Sequence, residues 1–234
     1  VDAFGGRFEQ VIVGGAPLNA EVEAFLHRIK FPFTVGYGMT ECGPLISYTH
    51  HSEFIPRSSG RILEGYMQVK IDSSDPELIP ENVMAGYYKN QEATEKVIDK
   101  DGWLHTGDMG TVNNDDTIFI KGRYKTMILG ASGQNIYPEE IESKLNNMPF
   151  IMESLVIEKD GRLVALVYPD YEAVDDYGIA NEDLPVAMEE IRKNLNKEVA
   201  PYEQIAKIHL YPTEFEKTPK RSIKRYLYTN FSPI

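Results

Sequence analysis

At 234 residues the chain is long enough for one large or two ordinary domains. Its 24 basic residues against 36 acidic ones leave a net charge of −12, which excludes the concentrated basic face that a nucleic-acid partner needs. Its single cysteine, Cys42, excludes an internal disulfide framework and fits a reducing compartment, and no stretch approaches the roughly 20 apolar residues of a membrane span. The opening Val1-Asp2-Ala3-Phe4 has neither the basic segment nor the apolar core of a signal peptide, so the expectation is a cytoplasmic protein.

In chain order, Gln10-Val11-Ile12-Val13 predicts a short buried strand that feeds a tight turn at Gly14-Gly15. Asn19 suits the cap of a helix reaching Ile29, with Glu21 and Glu23 in its first turn and Val22, Phe25, Leu26 and Ile29 on one apolar face. Thr34-Val35-Gly36-Tyr37 reads as the next strand, and strand, helix, strand suggests a layer of an α/β fold. Residues 61–71 and 117–121 are β-like.

The character changes near Arg123. Pro138 suits the first position of a helix whose apolar face is Ile141, Leu145 and Met148; Glu140 and Glu142 read as its surface charges. Leu155-Val156-Ile157 and the run from Leu163 to Val167 flank Lys159-Asp160-Gly161, a hairpin signal. Leu184, Met188, Ile191 and Leu195 mark a second amphipathic helix, and 205–211 a last strand before a basic tail. This predicts residues 1–122 as α/β and residues 123–234 as a small α+β domain.

Polar motifs punctuate this frame. Gly36-Tyr37-Gly38-Met39-Thr40-Glu41 is followed by Gly-Trp-Leu-His-Thr-Gly-Asp at 102–108 and Lys-Gly-Arg-Tyr-Lys-Thr-Met-Ile at 121–128. In this order and spacing they resemble the enzymes that activate carboxylic acids as acyl-adenylates. The stretch Glu-Asn-Val-Met-Ala-Gly-Tyr-Tyr at 81–88 is most similar to the fatty-acid–CoA ligase branch.

The resemblance implies ATP, Mg²⁺, CoA and a long-chain fatty acid as partners, a large adenylate-binding domain and a small mobile lid. It implies that Gly14, Gly15 and Ala16 wall an adenine and acyl pocket, where missing side chains let a base approach the backbone. Tyr37 would stack on adenine beside Gly38, Thr40 would offer its hydroxyl to the α-phosphate, and Glu41 would hold the metal. Asp108 and Arg123 would take the ribose hydroxyls, a carboxylate being able to accept two hydrogen bonds at once. Lys125 stands at the family's hinge position, and the loop with Gly133 and Gln134 would line the pantetheine tunnel.

The family's catalytic lysine falls at Ser222 here, leaving Lys220 and Lys224 as the nearby candidates, with Lys220 preferred. A basic tail that touches anionic lipid is the alternative use of these lysines, and peripheral contact with the inner face of the membrane would let the enzyme collect a lipid substrate. Between Ile71 and Asn82 the family's alternating strand is replaced by Asp72-Ser73-Ser74-Asp75-Pro76-Glu77-Leu78-Ile79-Pro80. The family's Ser/Thr/Gly-rich phosphate loop has no counterpart before Thr34. The expectation is therefore a carboxy-terminal fragment that is inactive alone. Two other readings stay open: an adenylate- or acyl-binding module without catalysis, and an adenylating enzyme serving another carboxylate or a carrier protein. Cys42 and Met39 are expected to pack, His105 to support its neighbours, and His50 and His51 not to bind zinc.

Overall fold

The computed structural model describes residues 5–71, 78–80, 83–130, 133–219, 221–229 and 231. The chain divides into two compact units, Val1–Lys125 and Thr126–Ile234.

In the first unit, strands β1 (Val11–Val13) and β2 (Phe33–Val35) pair in parallel through helix α1 (Ala20–Arg28), a β-α-β unit. The Asn19 side chain accepts the backbone N–H of Glu21 at 2.9 Å and of Val22 at 3.2 Å, which fixes where α1 starts. The predicted apolar face of α1 is not buried: Val22, Phe25 and Ile29 are 46%, 48% and 52% exposed. Glu23 faces inward instead, because its carboxylate accepts the Arg57 N–H at 2.9 Å, and a buried carboxylate needs such a partner.

Gly36 ends the predicted second strand early. Its N–H still donates to Val13 at 2.9 Å, but Tyr37 turns away to pair with Ser47. Strand β3 (Tyr37–Gly38) thus opens an antiparallel sheet with β4 (Leu45–Tyr48) and β5 (Arg61–Ile62). The β-like run over 61–71 is two strands, β5 and β6 (Val69–Ile71), since the Leu63 carbonyl accepts from Tyr66 and Met67 and closes a turn between them. β6 pairs with β7 (Leu78–Pro80), a strand found in the segment expected to lack one; residues 72–77, 81 and 82 lie outside the described residues.

After the short helix α2 (Gln91–Glu95), β8 (Asp108–Val112) and β9 (Ile118–Arg123) form a hairpin that sets Asp108 directly opposite Arg123. The core beneath is Cys42, Ile46, Met67, Leu104 and Ile118. Because β9 runs through Arg123, the unit closes at Lys125, three residues after the boundary drawn from sequence.

The second unit begins with a small hairpin, β10 (Ile128–Leu129) and β11 (Asn135–Ile136), then α3 (Pro138–Leu145) with Pro138 in its first turn. β12 (Ile151–Lys159) and β13 (Arg162–Pro169) meet across Asp160 and Gly161, both with positive φ (50° and 71°), as a two-residue hairpin turn requires. α4 (Tyr171–Asp176) and α5 (Leu184–Glu198) lead to β14 (Ile205–Leu210), which pairs parallel to β13.

Side chains alternate across this sheet with period two. Val156, Leu163, Ala165 and Val167 face a core that includes Ile141, Leu145 and all four predicted apolar residues of α5, Leu184, Met188, Ile191 and Leu195. Leu155, Ile157, Val164 and Leu166 face the other way, onto Phe215 and Tyr228. The tail is therefore more than a basic strand-end: its aromatic residues cover the second face of the sheet, and burying Phe215 and Tyr228 drives that docking.

Glu142 corrects its reading as a surface charge. It is buried, its carboxylate binds the Arg225 guanidinium at 2.8 Å and accepts the Val156 N–H at 2.6 Å, and Arg225 donates to the Val156 carbonyl at 3.1 Å. β12 is an edge strand, and this ion pair satisfies backbone groups that the edge leaves open. Burial pushes the Glu142 carboxyl above the usual carboxylate range, against the pull of Arg225.

Candidate active site

The first unit brings three separate motifs to one place. Tyr37 extends from β3, Asp108 opens β8, and Arg123 ends β9. The Tyr37 hydroxyl donates to Asp108 Oδ2 at 2.7 Å, across 71 positions of sequence, and Arg123 Nε meets Asp108 Oδ1 at 2.8 Å. Asp108 N–H in turn donates to the Thr106 hydroxyl at 3.1 Å, and Arg123 reaches the Thr106 carbonyl at 3.4 Å. The Asp108 side chain is only 8% exposed, whereas that of Arg123 is 58% exposed. Burial raises the Tyr37 phenol above its ordinary value, and the Asp108 charge adds to the effect, so Tyr37 stays a donor through the neutral range.

Two glycines explain why the chain can fold this way. A side chain at Gly38 would stand 2.0 Å from the Pro44 carbonyl oxygen and 2.8 Å from Leu45 Cα, so only glycine lets β3 lie against the start of β4. Gly14 passes close to the Gly36 carbonyl, 3.4 Å from where its Cβ would sit, and Gly15 takes φ 85°. The Gly14-Gly15-Ala16 turn, all three residues exposed, therefore borders the start of β3.

Thr40 and Glu41 lie in a 3₁₀ turn, Thr40–Cys42, with Thr40 exposed. Glu41 Oε1 accepts the Tyr87 hydroxyl at 2.8 Å, and its carbonyl accepts the Met84 N–H at 2.7 Å. The Tyr87 phenol is raised, chiefly by this bond. Among the described residues no group of three His, Cys, Asp or Glu side chains could hold a metal by itself. A lone carboxylate fits magnesium, which takes one or two from protein and completes its shell with phosphate oxygens and water. Cys42 is buried and its thiol is pushed up to about 11 by burial and then by Glu41. His105 contacts Asp99 at 3.5 Å, and the His50 and His51 rings lie 4.4 Å apart.

Lys125 is exposed in the 3₁₀ turn Tyr124–Thr126, and the division between the units falls directly after it. Within the second unit, Gly133 takes φ 81° in the hairpin loop, and the Gln134 Oε1 atom is buried without a hydrogen-bond partner among the described residues. Lys224 pairs with Glu216 at 3.1 Å, which raises its pKa, and Lys217 pairs with Glu153. The Thr218 N–H donates to the Ser222 carbonyl, and Lys217 pairs with Ile223; Lys220 lies outside the described residues. Sequence reasoning gave no part to Thr106 or Tyr87. The Ala-Gly-Tyr-Tyr stretch marked Tyr87 only as a likeness, and nothing in the sequence signals that its hydroxyl meets Glu41.

No protein-family model matches the chain. A 4-coumarate–CoA ligase of Glycine max is 32% identical over 232 residues, covering 91% of this chain and 76% of that protein. The chain belongs to the adenylate-forming acid–CoA ligases. Within this family it is also 29% identical to a long-chain-fatty-acid–CoA ligase of Mycobacterium bovis, over 95% of this chain and 40% of the relative. It spans about two fifths of the length of several of the curated relatives it matches. Its α/β and α+β fold is that of adenylate-forming enzymes: the o-succinylbenzoate–CoA synthetase of Bacillus subtilis, solved with an acyl-adenylate, superposes with a TM-score of 0.77 at 23% identity, covering 96% of this chain and 46% of that one. The same synthetase has been solved with ATP and a magnesium ion, with a TM-score of 0.74 at 22% identity over 96% of this chain and 48% of that one.

Proposed function

We propose that this chain carries the adenylate-binding face and lid of an AMP-forming ligase for long-chain carboxylates. A carboxylate oxygen bonds to the α-phosphorus of ATP and pyrophosphate leaves with the bridging oxygen. The sulfur of CoA then bonds to the acyl carbon and AMP departs. The observation that carries this reading is the meeting of Tyr37, Asp108 and Arg123 from three separate motifs in one polar cluster.

In this reading the Tyr37 ring stacks on adenine against the Gly14-Gly15-Ala16 turn, and Asp108 and Arg123 bind the ribose hydroxyls. The Thr40 hydroxyl meets the α-phosphate and Glu41 holds Mg²⁺, which offsets phosphate charge. Gly133 and Gln134 border the pantetheine path, Lys125 is the hinge, and Lys220 or Lys224 bridges carboxylate and phosphate. A cation there offsets the repulsion of two anions that must come together. A cytoplasmic protein with peripheral membrane contact fits a lipid substrate. Among the described residues no helix is long and apolar enough to cross a membrane. The 4-coumarate ligases among the relatives support a second reading, an aryl carboxylate as substrate.

Two measurements test this. The 234-residue chain is expected to bind AMP, and Asp108→Ala to weaken that binding about ten- to a hundred-fold, the cost of one charge-assisted partner. Unchanged affinity by calorimetry removes Asp108 from the site. Release of pyrophosphate and of thioester by the natural enzyme, across a panel of carboxylates, then identifies the substrate. Long-chain acids turning over best supports the proposal, and 4-coumarate turning over best favours the second reading. AMP binding without pyrophosphate release would leave a module that binds and does not catalyse.

A further inference from the structure

Within the site cluster, the hydroxyl of Tyr37 has no part in stacking, yet it is the best-placed donor there. Asp108 is held from several sides. Its backbone is fixed by pairing with Arg123 across β8 and β9, one carboxylate oxygen is taken by Arg123 Nε, and the other receives the Tyr37 hydroxyl at 2.7 Å. The last torsion of an aspartate is broad, with no sharp preference of its own. Arg123 is more than half exposed, so it holds one edge of the carboxylate from a flexible stem. Tyr37 is held on a much stiffer base. Its strand is pinned at Gly38, where even a methyl group would strike the Pro44 carbonyl, and Tyr37 itself is registered against Ser47.

We propose that the Tyr37 hydroxyl is a positioning group: it sets the rotation of the Asp108 carboxylate, and so makes the site discriminate a ribonucleotide from one lacking the ribose 2′- and 3′-hydroxyls. This rests on the nucleotide reading given above. A diol presents two donors at a fixed spacing, so a carboxylate turned out of its plane meets one of them at best. The ring and the hydroxyl of Tyr37 then have separate duties. The ring recognises the base, whereas the hydroxyl acts on the sugar through Asp108. Burial raises the Tyr37 phenol, which keeps its proton in place for this purpose.

Tyr37→Phe separates the two duties, since it keeps the ring and removes only the oxygen. Calorimetric titration of the 234-residue chain with AMP and with 2′,3′-dideoxy-AMP reads them out. The unaltered chain is expected to prefer AMP. In Tyr37→Phe, AMP affinity should fall about three- to ten-fold, the scale of one hydrogen bond, while dideoxy-AMP affinity changes less than about two-fold. In an Asp108→Ala background, Tyr37→Phe should change neither affinity further, because the group it acts through is gone. An unchanged preference in Tyr37→Phe overturns the proposal. Equal losses for both ligands also overturn it, since they make Tyr37 a stacking or structural residue only. An unaltered chain that binds AMP without preferring it to the dideoxy form refutes this inference and leaves the nucleotide reading standing. An unaltered chain that binds neither ligand refutes both.

Discussion

The main sheet of the second unit is built from long, regular strands, whereas several strands of the first unit are fragments. β12 and β13 run nine and eight residues, with α5 of fifteen packed behind the sheet. In the first unit β3 and β5 are two residues each, β1 and β2 three, and their directions are set by glycines and turns. A continuous apolar core needs regular elements to interdigitate. A site that gathers Tyr37, Asp108 and Arg123 from distant loops needs strands that end where the side chain is wanted. The difference teaches that stability in the second unit is spread over many apolar contacts and one buried ion pair, whereas the first depends on single backbone approaches.

Four substitutions at three positions put this contrast to the test. The largest effect is expected from Glu142→Ala, which strands the Arg225 guanidinium beside the β12 edge and should cost about 3–5 kcal/mol in denaturant melts. A cost below about 1 kcal/mol would show that the pair is not what seals that edge. Glu142→Gln sharpens the point through pH. Burial holds the Glu142 carboxyl above its unfolded value, so the folded chain binds the extra proton. Stability from this group is thus full below the ordinary glutamate range near pH 4.3 and is lost as pH rises through the higher folded value. The Gln variant should show a shallower fall over that window, and an identical slope would assign it to other groups.

Gly38→Ala should come next, at about 3 kcal/mol, because a methyl group meets backbone and has no flexible side chain to displace. Hydrogen exchange should quicken at β3 and β4 and stay unchanged at β12 and β13; equal quickening in both would break the contrast between the units. The smallest effect is expected from Asn19→Ala, about 1 kcal/mol for the loss of one helix cap, read as a lower melting temperature. No shift would mean that Glu23 and its bond to Arg57 alone decide the start of α1.

The second unit was largely legible in the sequence. Period-3.6 spacing placed the buried face of α5, and Asp160-Gly161 between apolar runs placed the hairpin. What escaped there depends on contacts far along the chain: Glu142 looks like any helix carboxylate until Arg225, 83 residues on, is folded against it. In the first unit the motifs were legible as a set, and the structure joins Tyr37, Asp108 and Arg123. In α1 the apolar stripe is exposed at Val22, Phe25 and Ile29, while Glu23 lies buried with its carboxylate on the Arg57 N–H, a pairing 34 positions away that spacing does not reveal. The strand expected to run through Tyr37 broke at Gly36, since short apolar runs carry no record of direction.

The burial of Cys42 has a practical corollary. The chain's only thiol is enclosed, and its pKa near 11 leaves almost no thiolate at neutral pH, so maleimide chemistry should pass it by. A cysteine introduced at Asp160, on the exposed tip of the β12–β13 hairpin, would then be the one handle that a dye or spin probe could take. The 234-residue chain is thus expected to stay unlabelled at Cys42 without a cysteine-free background.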